Sequence, residues 1–216
     1  MTISIITVCY NSESTIEQTI QSVISQKFQK IEYIIVDGGS KDQTLSIIEK
    51  YNSEIDILIS EKDNGIYDAI NKGIKHASGD IVGFLHSDDI FKSSDILKKV
   101  SDSFNRDIDL IYGDIEYVDK EDLSKVIRKW SSKGYVEGSF KWGWMPPHTS
   151  FFLRKEYYDK LGNYSLLLGS SADYELMLRM FEVHRLKSFY LSEVITSMRT
   201  GGISNSSLRN RWLANR

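Results

Sequence analysis

Residues 79–89 read Gly-Asp-Ile-Val-Gly-Phe-Leu-His-Ser-Asp-Asp, and this segment decides the fold. Its apolar run at residues 81–85 is short and bounded by polar residues, which is typical of a buried strand. Asp88 and Asp89 follow at the point where the strand leaves the sheet. Two carboxylates in that position can hold a divalent cation, because Mg²⁺ binds one or two carboxylates together with the oxygens of a diphosphate.

In the first half of the chain, short apolar runs alternate with amphipathic helical patterns. We predict strands at residues 3–8, 31–36, 55–60 and 81–85, and helices at residues 12–27, 40–51 and 64–76. The helix at 40–51 opens with a capping box at residues 40–43. Strands separated by helices of this length form βαβ units with parallel strands. The predicted class is therefore α/β, with a mostly parallel central sheet flanked by helices.

The second half is less regular. We predict helices at residues 95–104, 155–161 and 171–184, and strands at residues 110–118, 125–130, 148–154 and 189–198. Residues 131–147 are rich in aromatic residues and glycine, and we interpret them as a long loop of the kind that often carries function. No composition shift marks a linker, so 216 residues indicate a single domain.

The charge balance argues against nucleic acid as a partner. With 27 basic and 30 acidic residues the net charge is −3, whereas nucleic-acid-binding domains usually carry a basic face. Cys9 is the only cysteine, which excludes an internal disulfide and indicates a reducing compartment. It lies in an apolar run, so we interpret it as a small buried hydrophobic residue.

The two ends of the sequence bear on localisation. Residues 1–6 lack the basic segment of a secretion signal, and no apolar stretch approaches the roughly 20 residues that span a bilayer. We therefore expect a cytoplasmic protein. Residues 208–216 are basic and include Trp212, which leaves open a solvated C-terminal helix or peripheral contact with the anionic inner face of the membrane.

Polar residues follow each of the first four predicted strands. Ligands of an open parallel sheet bind beyond the carboxyl ends of its strands, so these residues are candidates for a binding site. Each cluster alone is weak support, since an aspartate before a helix is often only an N-cap. Four clusters at successive strand ends support a binding site more strongly, because the sheet brings them together. These clusters are residues 9–11, Asp37, residues 63–65, and Asp88 with Asp89.

Two common nucleotide-binding motifs are absent. The sequence contains neither the G-x-G-x-x-G of dinucleotide-binding folds nor the G-x-x-x-x-G-K-[ST] of a P-loop. A diphosphate bound without a glycine-rich loop needs another counter-charge, and Mg²⁺ or Mn²⁺ on Asp88 and Asp89 would supply it. The four histidines are scattered along the chain, so a His–Cys metal site is not indicated.

Asp173 is the second candidate for chemistry. Leu176, Met177 and Met180 follow it at helical spacing, so the acid shares the apolar face of a predicted helix. Ser170 and Asp173 also match a capping box, which by itself would explain an acid in the first turn. The functional alternative is a general base. A carboxylate on a rigid helix can serve as one when a cleft that partly excludes water raises its pKa toward the pH of the reaction.

The chain resembles the family 2 inverting glycosyltransferases, which have the GT-A fold, and it is most similar to the small bacterial members that build surface polysaccharides. The resemblance covers essentially the whole chain and rests on the order and spacing of five segments. These are residues 4–11 (SIITVCYN), 32–40 (EYIIVDGGS), 64–74 (NGIYDAINKGI), 85–89 (LHSDD) and 172–176 (ADYEL).

The resemblance implies a single GT-A domain over residues 1–216, with a Rossmann-like sheet and a smaller mixed region on the acceptor side. Residues 1–100 would bind the nucleotide-sugar and residues 101–216 the acceptor. The implied activity is a hexosyl- or N-acetylhexosaminyl-transfer from a UDP-linked donor to a saccharide or lipid-linked saccharide. It would proceed by a single displacement assisted by a divalent metal.

The resemblance also implies roles for individual residues, at the positions that match the motifs of the family. Asp173 would be the catalytic base, Asp88 the last acid of the D-x-D motif, and Asp88 with Asp89 the metal ligands. Asp37 would accept a hydrogen bond from the base, which suits a uracil N3–H. The residues implied in donor binding are Cys9, Tyr10, Asn11, Asp37, Asp63, Gly65, Asn71, Lys72, Ser87 and Asp88.

Two positions depart from the family pattern. His86 stands where the first aspartate of D-x-D is usual, and Ala172 stands where a glutamate often precedes the base. These departures keep open a catalytically inactive relative that acts as a binding partner in a synthesis complex. A sugar-phosphate nucleotidyltransferase is a further alternative, but its glycine-rich basic loop is missing from residues 7–11.

The candidate acceptor region is the loop at residues 131–147 with the residues that flank it. Trp142, Trp144 and His148 are the candidate acceptor contacts, because aromatic faces suit the apolar faces of sugar rings. The alternative interpretation is that these aromatic side chains close the core over the second half of the chain.

Overall fold

The computed structural model describes residues 1–104 and 107–201, which form a central sheet with helices on both faces. The strands are β1 (Ile3–Cys9), β2 (Ile31–Asp37), β3 (Ile57–Ser60), β4 (Ile81–Phe84), β5 (Asp89–Phe91), β6 (Leu110–Val118), β7 (Val126–Trp130), β8 (Phe151–Arg154) and β9 (Ser188–Arg199). The helices are α1 (Ile16–Ile24), α2 (Thr44–Glu49), α3 (Ile66–His76), α4 (Ile96–Ser103), α5 (Lys155–Leu161) and α6 (Ala172–Leu178). Short 3₁₀ turns cover Ser139–Trp142, His148–Ser150 and Gly169–Ser171.

The first half of the chain builds the parallel part of the sheet, in the order β3-β2-β1-β4. In this register Cys9 pairs with Asp37, and Asp37 pairs with Ser60. The carboxyl ends of three strands therefore lie side by side, as the alternation of strands and helices predicts. The predicted α/β class is confirmed.

The second half extends the sheet with mixed directions. β8 lies antiparallel to both β4 and β6, while β9 runs parallel to β6 and antiparallel to β5. β7 returns beside β6, as its sequence predicts. The strand β5 was not predicted, because a three-residue strand carries no periodic signal. It forms because β9 supplies its partner.

The core has two apolar layers, one on each face of the sheet. Because successive side chains of a strand point to opposite faces, Ile5 of β1 packs with α1, α2 and α4, whereas Ile6 packs with α3, α5 and α6. Every residue of β1 and five of the seven residues of β2 are buried, which explains why both strands are predominantly apolar.

Two helices differ from their predictions for identifiable reasons. The capping box at residues 40–43 does not form, because the Ser40 hydroxyl donates to Asp37 instead and α2 starts only at Thr44. The helix predicted over residues 171–184 ends at Leu178 and continues as a π-helical turn, Arg179–Val183, in which the Arg179 carbonyl accepts from the His184 amide.

Within residues 1–104 and 107–201, no helix is both long and apolar enough to cross a membrane. The basic segment at residues 208–216, for which we considered membrane contact, lies outside the described residues.

Gly73 sets the distance between α3 and β1. A Cβ on Gly73 would lie 2.5 Å from Ile6 Cγ2, inside normal contact distance. Helix propensity favours alanine over glycine by about 1 kcal/mol, but overpacking a core costs about 1–3 kcal/mol. We therefore expect Gly73→Ala to lower the free energy of unfolding, by up to about 2 kcal/mol in urea denaturation.

Gly134→Ala is the matched control, because a Cβ there meets nothing within 4 Å. Its stability should stay close to that of the unmodified protein. An unchanged or higher stability of Gly73→Ala would show that the close approach of α3 to β1 is not a tight contact.

Candidate functional site

The loops that follow β1, β2 and β4 are tied to one another at the carboxyl edge of the sheet. The Asn11 amide donates to Ser40 Oγ at 2.8 Å, and the Lys41 amide donates to Asn11 Oδ1 at 2.9 Å. The hydroxyls of Ser12 and Ser87 are 2.8 Å apart. Residues from three predicted clusters thus converge at one edge, and Asn11 and Ser87 lie in the bonds that hold it together.

Asp37 lies at the centre of this edge, with no exposed surface. Its carboxyl accepts from the amides of Gly39 and Ser40, each at 3.1 Å, from the Ser40 hydroxyl, and from Ser60 Oγ at 2.8 Å. Burial, followed by the charge of Asp37, raises the pKa of the neighbouring Cys9 thiol. Both carboxyl oxygens accept hydrogen bonds inside the turn, and the expected hydrogen bond from Asp37 to a nucleobase stays a prediction.

The side chains of Tyr10 and Asp63 are at least partly exposed at the carboxyl edge of the sheet. Tyr10 follows β1 and is 60% exposed. Asp63 follows β3, and its Oδ1 accepts from the Gly65 amide at 2.9 Å. Asp63 Oδ2 lies over Gly38, where an added Cβ would be only 2.4 Å away. The two side chains therefore flank Gly38 on the surface of the loops.

Asn71 and Lys72 lie on α3 and are engaged by protein groups. The Asn71 amide donates to the Tyr164 carbonyl at 2.9 Å and accepts from the Tyr164 amide at 3.1 Å. Lys72 Nζ is 2.8 Å from the Glu61 carboxyl. Both residues line a groove of about 380 Å³ between α3 and α5. Asn71 thus orders the segment that leads into α6.

The two acids after β4 have different environments. Asp89 is 1% exposed, and burial, followed by the charge of Asp88, raises its pKa well above the ordinary value. Asp88 is half-buried, and its carbonyl accepts from the Arg199 guanidinium, which also donates to Gln18. Asp89 is thus enclosed by the protein whereas Asp88 is half-buried, and the metal role expected of the two acids stays a prediction.

His86 faces His148 across the junction of β4 and β8. His86 Nε2 and His148 Nδ1 are 3.4 Å apart, and His148 Nε2 lies 2.7 Å from the Tyr164 hydroxyl. The His148 ring also stacks on Phe84 at 4.9 Å. Burial lowers the pKa of both imidazoles, and for His86 the charge of Asp88 opposes this effect. His148 therefore has protein partners at both ring nitrogens.

Asp173 begins the first turn of α6 and is half-buried. Burial raises the pKa of its carboxyl, although the Tyr174 amide, 2.8 Å from Oδ1, and the Tyr67 hydroxyl both favour the ionised form. The capping box with Ser170 does not form, since α6 has no side-chain cap. Tyr67 stacks on Tyr164 at 5.6 Å.

A continuous row of side chains joins His86 to Asp173. It runs through His148, Tyr164 and Tyr67, each in contact with the next. At the His86 end, the charge of Asp88 acts on the pKa of the imidazole, so the two candidate acids of the sequence belong to the surroundings of one row of polar and aromatic side chains.

The two tryptophans of the loop at residues 131–147 differ in environment. Trp142 is 91% exposed at the end of a 3₁₀ turn. Trp144 donates from Nε1 to the Ser132 carbonyl at 2.8 Å and packs against Tyr112 and Phe181, with ring centres 5.7 and 5.4 Å away. Trp144 therefore closes the core, while the face of Trp142 is open.

Sequence reasoning missed three residues of this site. Tyr67 could have been found, because it lies in the first turn of a predicted helix directly after a strand-end cluster. Tyr164 and Arg199 carry no local signal, since their partners lie 93 and 111 residues away in the sequence.

Comparisons of the sequence with known proteins show its family. The model of the family "Glycosyl transferase family 2" matches residues 4–162. An uncharacterized glycosyltransferase of Mycobacterium tuberculosis is 32% identical over 82% of this chain and 68% of its own length. A PGL/p-HBAD biosynthesis glycosyltransferase of Mycobacterium bovis is 27% identical over 97% of this chain and 82% of its own. The Escherichia coli UDP-Glc:alpha-D-GlcNAc-diphosphoundecaprenol beta-1,3-glucosyltransferase WfgD is 33% identical over 56% of this chain and 48% of its own.

Solved structures share the fold. Staphylococcus aureus TarS in complex with UDP-GlcNAc superposes with a TM-score of 0.75 at 22% identity, over 96% of this chain. The mannosyltransferase PcManGT of Pyrobaculum calidifontis, in complex with GDP-Man and Mn²⁺, has a TM-score of 0.72 at 16% identity, over 97% of this chain. The chain spans about three fifths of these two structures, which are covered to 61% and 60%. The protein therefore belongs to glycosyl transferase family 2 and has the GT-A fold of these glycosyltransferases.

Proposed function

We propose that the protein is an inverting glycosyltransferase that moves a hexosyl or N-acetylhexosaminyl group from a UDP-linked sugar to an acceptor hydroxyl. The acceptor would be a saccharide or lipid-linked saccharide of a bacterial surface polysaccharide. The names of two relatives support this context, since one is named for a diphosphoundecaprenol-linked sugar and the other for PGL/p-HBAD biosynthesis. The observation that carries the proposal is the half-buried Asp173 carboxyl of raised pKa, which a row of side chains joins to His86, whose imidazole is affected by the charge of Asp88.

Asp173 would act as the general base. Its carboxylate accepts the proton of the acceptor hydroxyl while the oxygen attacks the anomeric carbon from the face opposite the diphosphate. The bond to the diphosphate breaks as the new glycosidic bond forms, so the anomeric configuration inverts. Burial raises the pKa of Asp173 and strengthens it as a base, and the start of α6 holds the carboxyl in place.

Asp88 suits a divalent cation, Mg²⁺ or Mn²⁺. Among residues 1–104 and 107–201, no three acidic, histidine or cysteine side chains come together into a metal cage. An accessible single carboxylate instead fits a cation that takes its other oxygens from the donor diphosphate. Such a cation would neutralise charge on the leaving diphosphate. Arg199 holds the backbone of Asp88 and so orients this carboxylate.

The acceptor would enter on the side of the second half of the chain. Trp142 offers an open aromatic face, whereas Trp144 and His148 are held by other side chains. Tyr174, the residue after the proposed base, joins α6 to the loop that carries Trp142, because its hydroxyl donates to the carbonyl of Phe140 at 2.6 Å. Residues 1–100 would thus carry the donor site, and residues 101–216 would carry the base and the acceptor site.

Asp173→Asn tests the base. We expect kcat to fall by about 10²–10⁴-fold, because positioned proton transfer contributes that much, while donor affinity stays unchanged. The measurement is transfer from a panel of nucleotide-sugars, with calorimetry for donor binding. Glu175→Gln on the same helix is the control, since Glu175 pairs with Arg179 and should be dispensable for turnover. Full activity of Asp173→Asn would rule out the assignment.

Tyr67→Phe tests the environment of the base. The Tyr67 hydroxyl lowers the pKa of Asp173, so its removal should raise that pKa further. Because the base must be ionised, kcat falls as the pH drops through this pKa, and the fall should move to higher pH in the variant. The pH profile of kcat provides the measurement. Tyr51→Phe, which removes a hydroxyl bonded to Glu17, should leave the profile in place. A profile of Tyr67→Phe that coincides with that of the unmodified enzyme would contradict the prediction.

Asp88→Ala tests the cation site. Calorimetric titration with a nucleoside diphosphate should show that Mn²⁺ strengthens binding to the unmodified protein and has little effect on the variant. Asp102→Ala removes an acid from the surface of α4 and should keep the response to Mn²⁺. If the variant responds to Mn²⁺ as the unmodified protein does, Asp88 is not the ligand.

A further inference from the structure

Three consecutive leucines are exposed in the loop that leads into α6, which we call the leucine loop (residues 165–171). Leu166, Leu167 and Leu168 are 56%, 96% and 46% exposed. Leaving such a run in water is unfavourable, because burying each side chain would stabilise the protein. A run of three exposed apolar residues therefore indicates a surface that another apolar phase covers.

The leucine loop is fixed at both ends, so its exposure is a property of the fold. Before the loop, the Asn71 side chain bonds both the amide and the carbonyl of Tyr164, at 3.1 and 2.9 Å. After it, Ala172 is fully buried at the start of α6, and the Ser171 amide donates to the Leu168 carbonyl at 3.1 Å. The leucines therefore cannot turn into the core unless these contacts break.

Trp142 adds an exposed aromatic side chain next to the start of α6. The 3₁₀ turn that carries it is joined to this helix, because the Tyr174 hydroxyl donates to the Phe140 carbonyl at 2.6 Å. Tryptophan is enriched where proteins meet the boundary between water and lipid, since its ring is apolar and its N–H is polar. The leucine loop and Trp142 thus both border the first turn of α6, in which Asp173 lies.

The charges around these side chains suit an anionic surface. Lys133 and Lys141 are exposed in the loop that carries Trp142, and neither forms an ion pair within the described part of the chain. Residues 138–155 and 160–172 contain no acidic residue. The acids that border these segments, apart from the half-buried Asp173, are each in an ion pair: Glu137, Glu156, Asp159 and Glu175.

A lipid bilayer fits this surface better than a protein partner does. Protein interfaces need complementary shape, whereas Leu167 protrudes almost completely from the loop, and fluid lipid accepts a protruding side chain. Membrane binding increases with the apolar area inserted and with the attraction of basic residues to anionic headgroups. The leucines and Trp142 would supply the apolar area, and the two lysines would supply the attraction.

We propose that the leucine loop and Trp142 insert into the surface of an anionic lipid bilayer, with Lys133 and Lys141 at the headgroups. The inference goes beyond the proposed function, because binding to a bilayer does not require sugar transfer. It brings the start of α6, and with it Asp173, to the membrane, where a lipid-linked acceptor would be presented. This last consequence rests on the proposed function.

The test is sedimentation of the full chain with vesicles of phosphatidylcholine, with and without phosphatidylglycerol. We expect binding to the anionic vesicles that weakens as salt is added, since salt screens the lysines. Leu167→Ser should weaken this binding about tenfold or more, because inserting one leucine side chain corresponds to at least that factor. Lys141→Ala should weaken it about fivefold, as expected for one basic residue at the headgroups.

Leu58→Ser is the matched control, because Leu58 is also an exposed leucine but lies on the edge strand β3. It should bind vesicles as the unmodified protein does, and thermal unfolding verifies that each variant is folded. Tryptophan fluorescence gives a second measurement. The emission should shift to shorter wavelength when anionic vesicles are added, and Trp142→Phe should lose most of this shift.

A chain that does not bind the anionic vesicles would overturn the inference. Binding that Leu167→Ser and Lys141→Ala leave unchanged would also overturn it, and would point to the basic residues 208–216. A dimer in analytical ultracentrifugation that Leu167→Ser abolishes, without vesicle binding, would assign the surface to a second copy of the chain. Vesicle binding that depends on the leucine loop, in a protein that transfers no sugar, would support the inference and contradict the proposed function.

Discussion

The buried carboxylate of Asp37 is the interaction on which the edge of the sheet depends. It ends β2 and takes hydrogen bonds from the turn at Gly39 and Ser40 and from Ser60 at the end of β3. A buried carboxylate is costly unless its oxygens are bonded, and bonds to a charged acceptor are about twice as strong as neutral ones. The turn is therefore held in one conformation. Asn11 then joins the loop after β1 to it, so the strand ends act as one rigid surface.

Side chains from the two halves of the chain meet along the row between His86 and Asp173. His86, which stands where the family pattern has an acid, faces His148 from the second half. Burial keeps both imidazoles neutral at physiological pH, so the pair adds no charge beside Asp88. The departure at His86 is therefore accommodated by a partner side chain from the second half of the chain.

The fold was predictable where the signal is local. The strands β1, β2, β4 and β6 appear within one or two residues of their predicted bounds, because each is marked by a local run of mostly apolar residues. β5 was missed because its pairing with β9 is set by residues more than a hundred positions away. The helix that carries Asp173 was predicted too long, because a π-helical turn and an α-helix share nearly the same apolar spacing.

The sequence alone determined the alternation of strands and helices and the acids that follow each strand, because both depend on local patterns of apolar and polar residues. Only the tertiary structure decided how far each of these acids is exposed. Asp37 and Asp89 are enclosed, whereas Asp63 and Asp88 remain accessible, and all four follow strands of the same sheet. The difference comes from partners that distant segments supply, such as Ser60 for Asp37 and residues of α1 and β9 for Asp89. Burial and hydrogen bonding at a strand end are properties of the assembled sheet, so the pattern of one segment cannot reveal them.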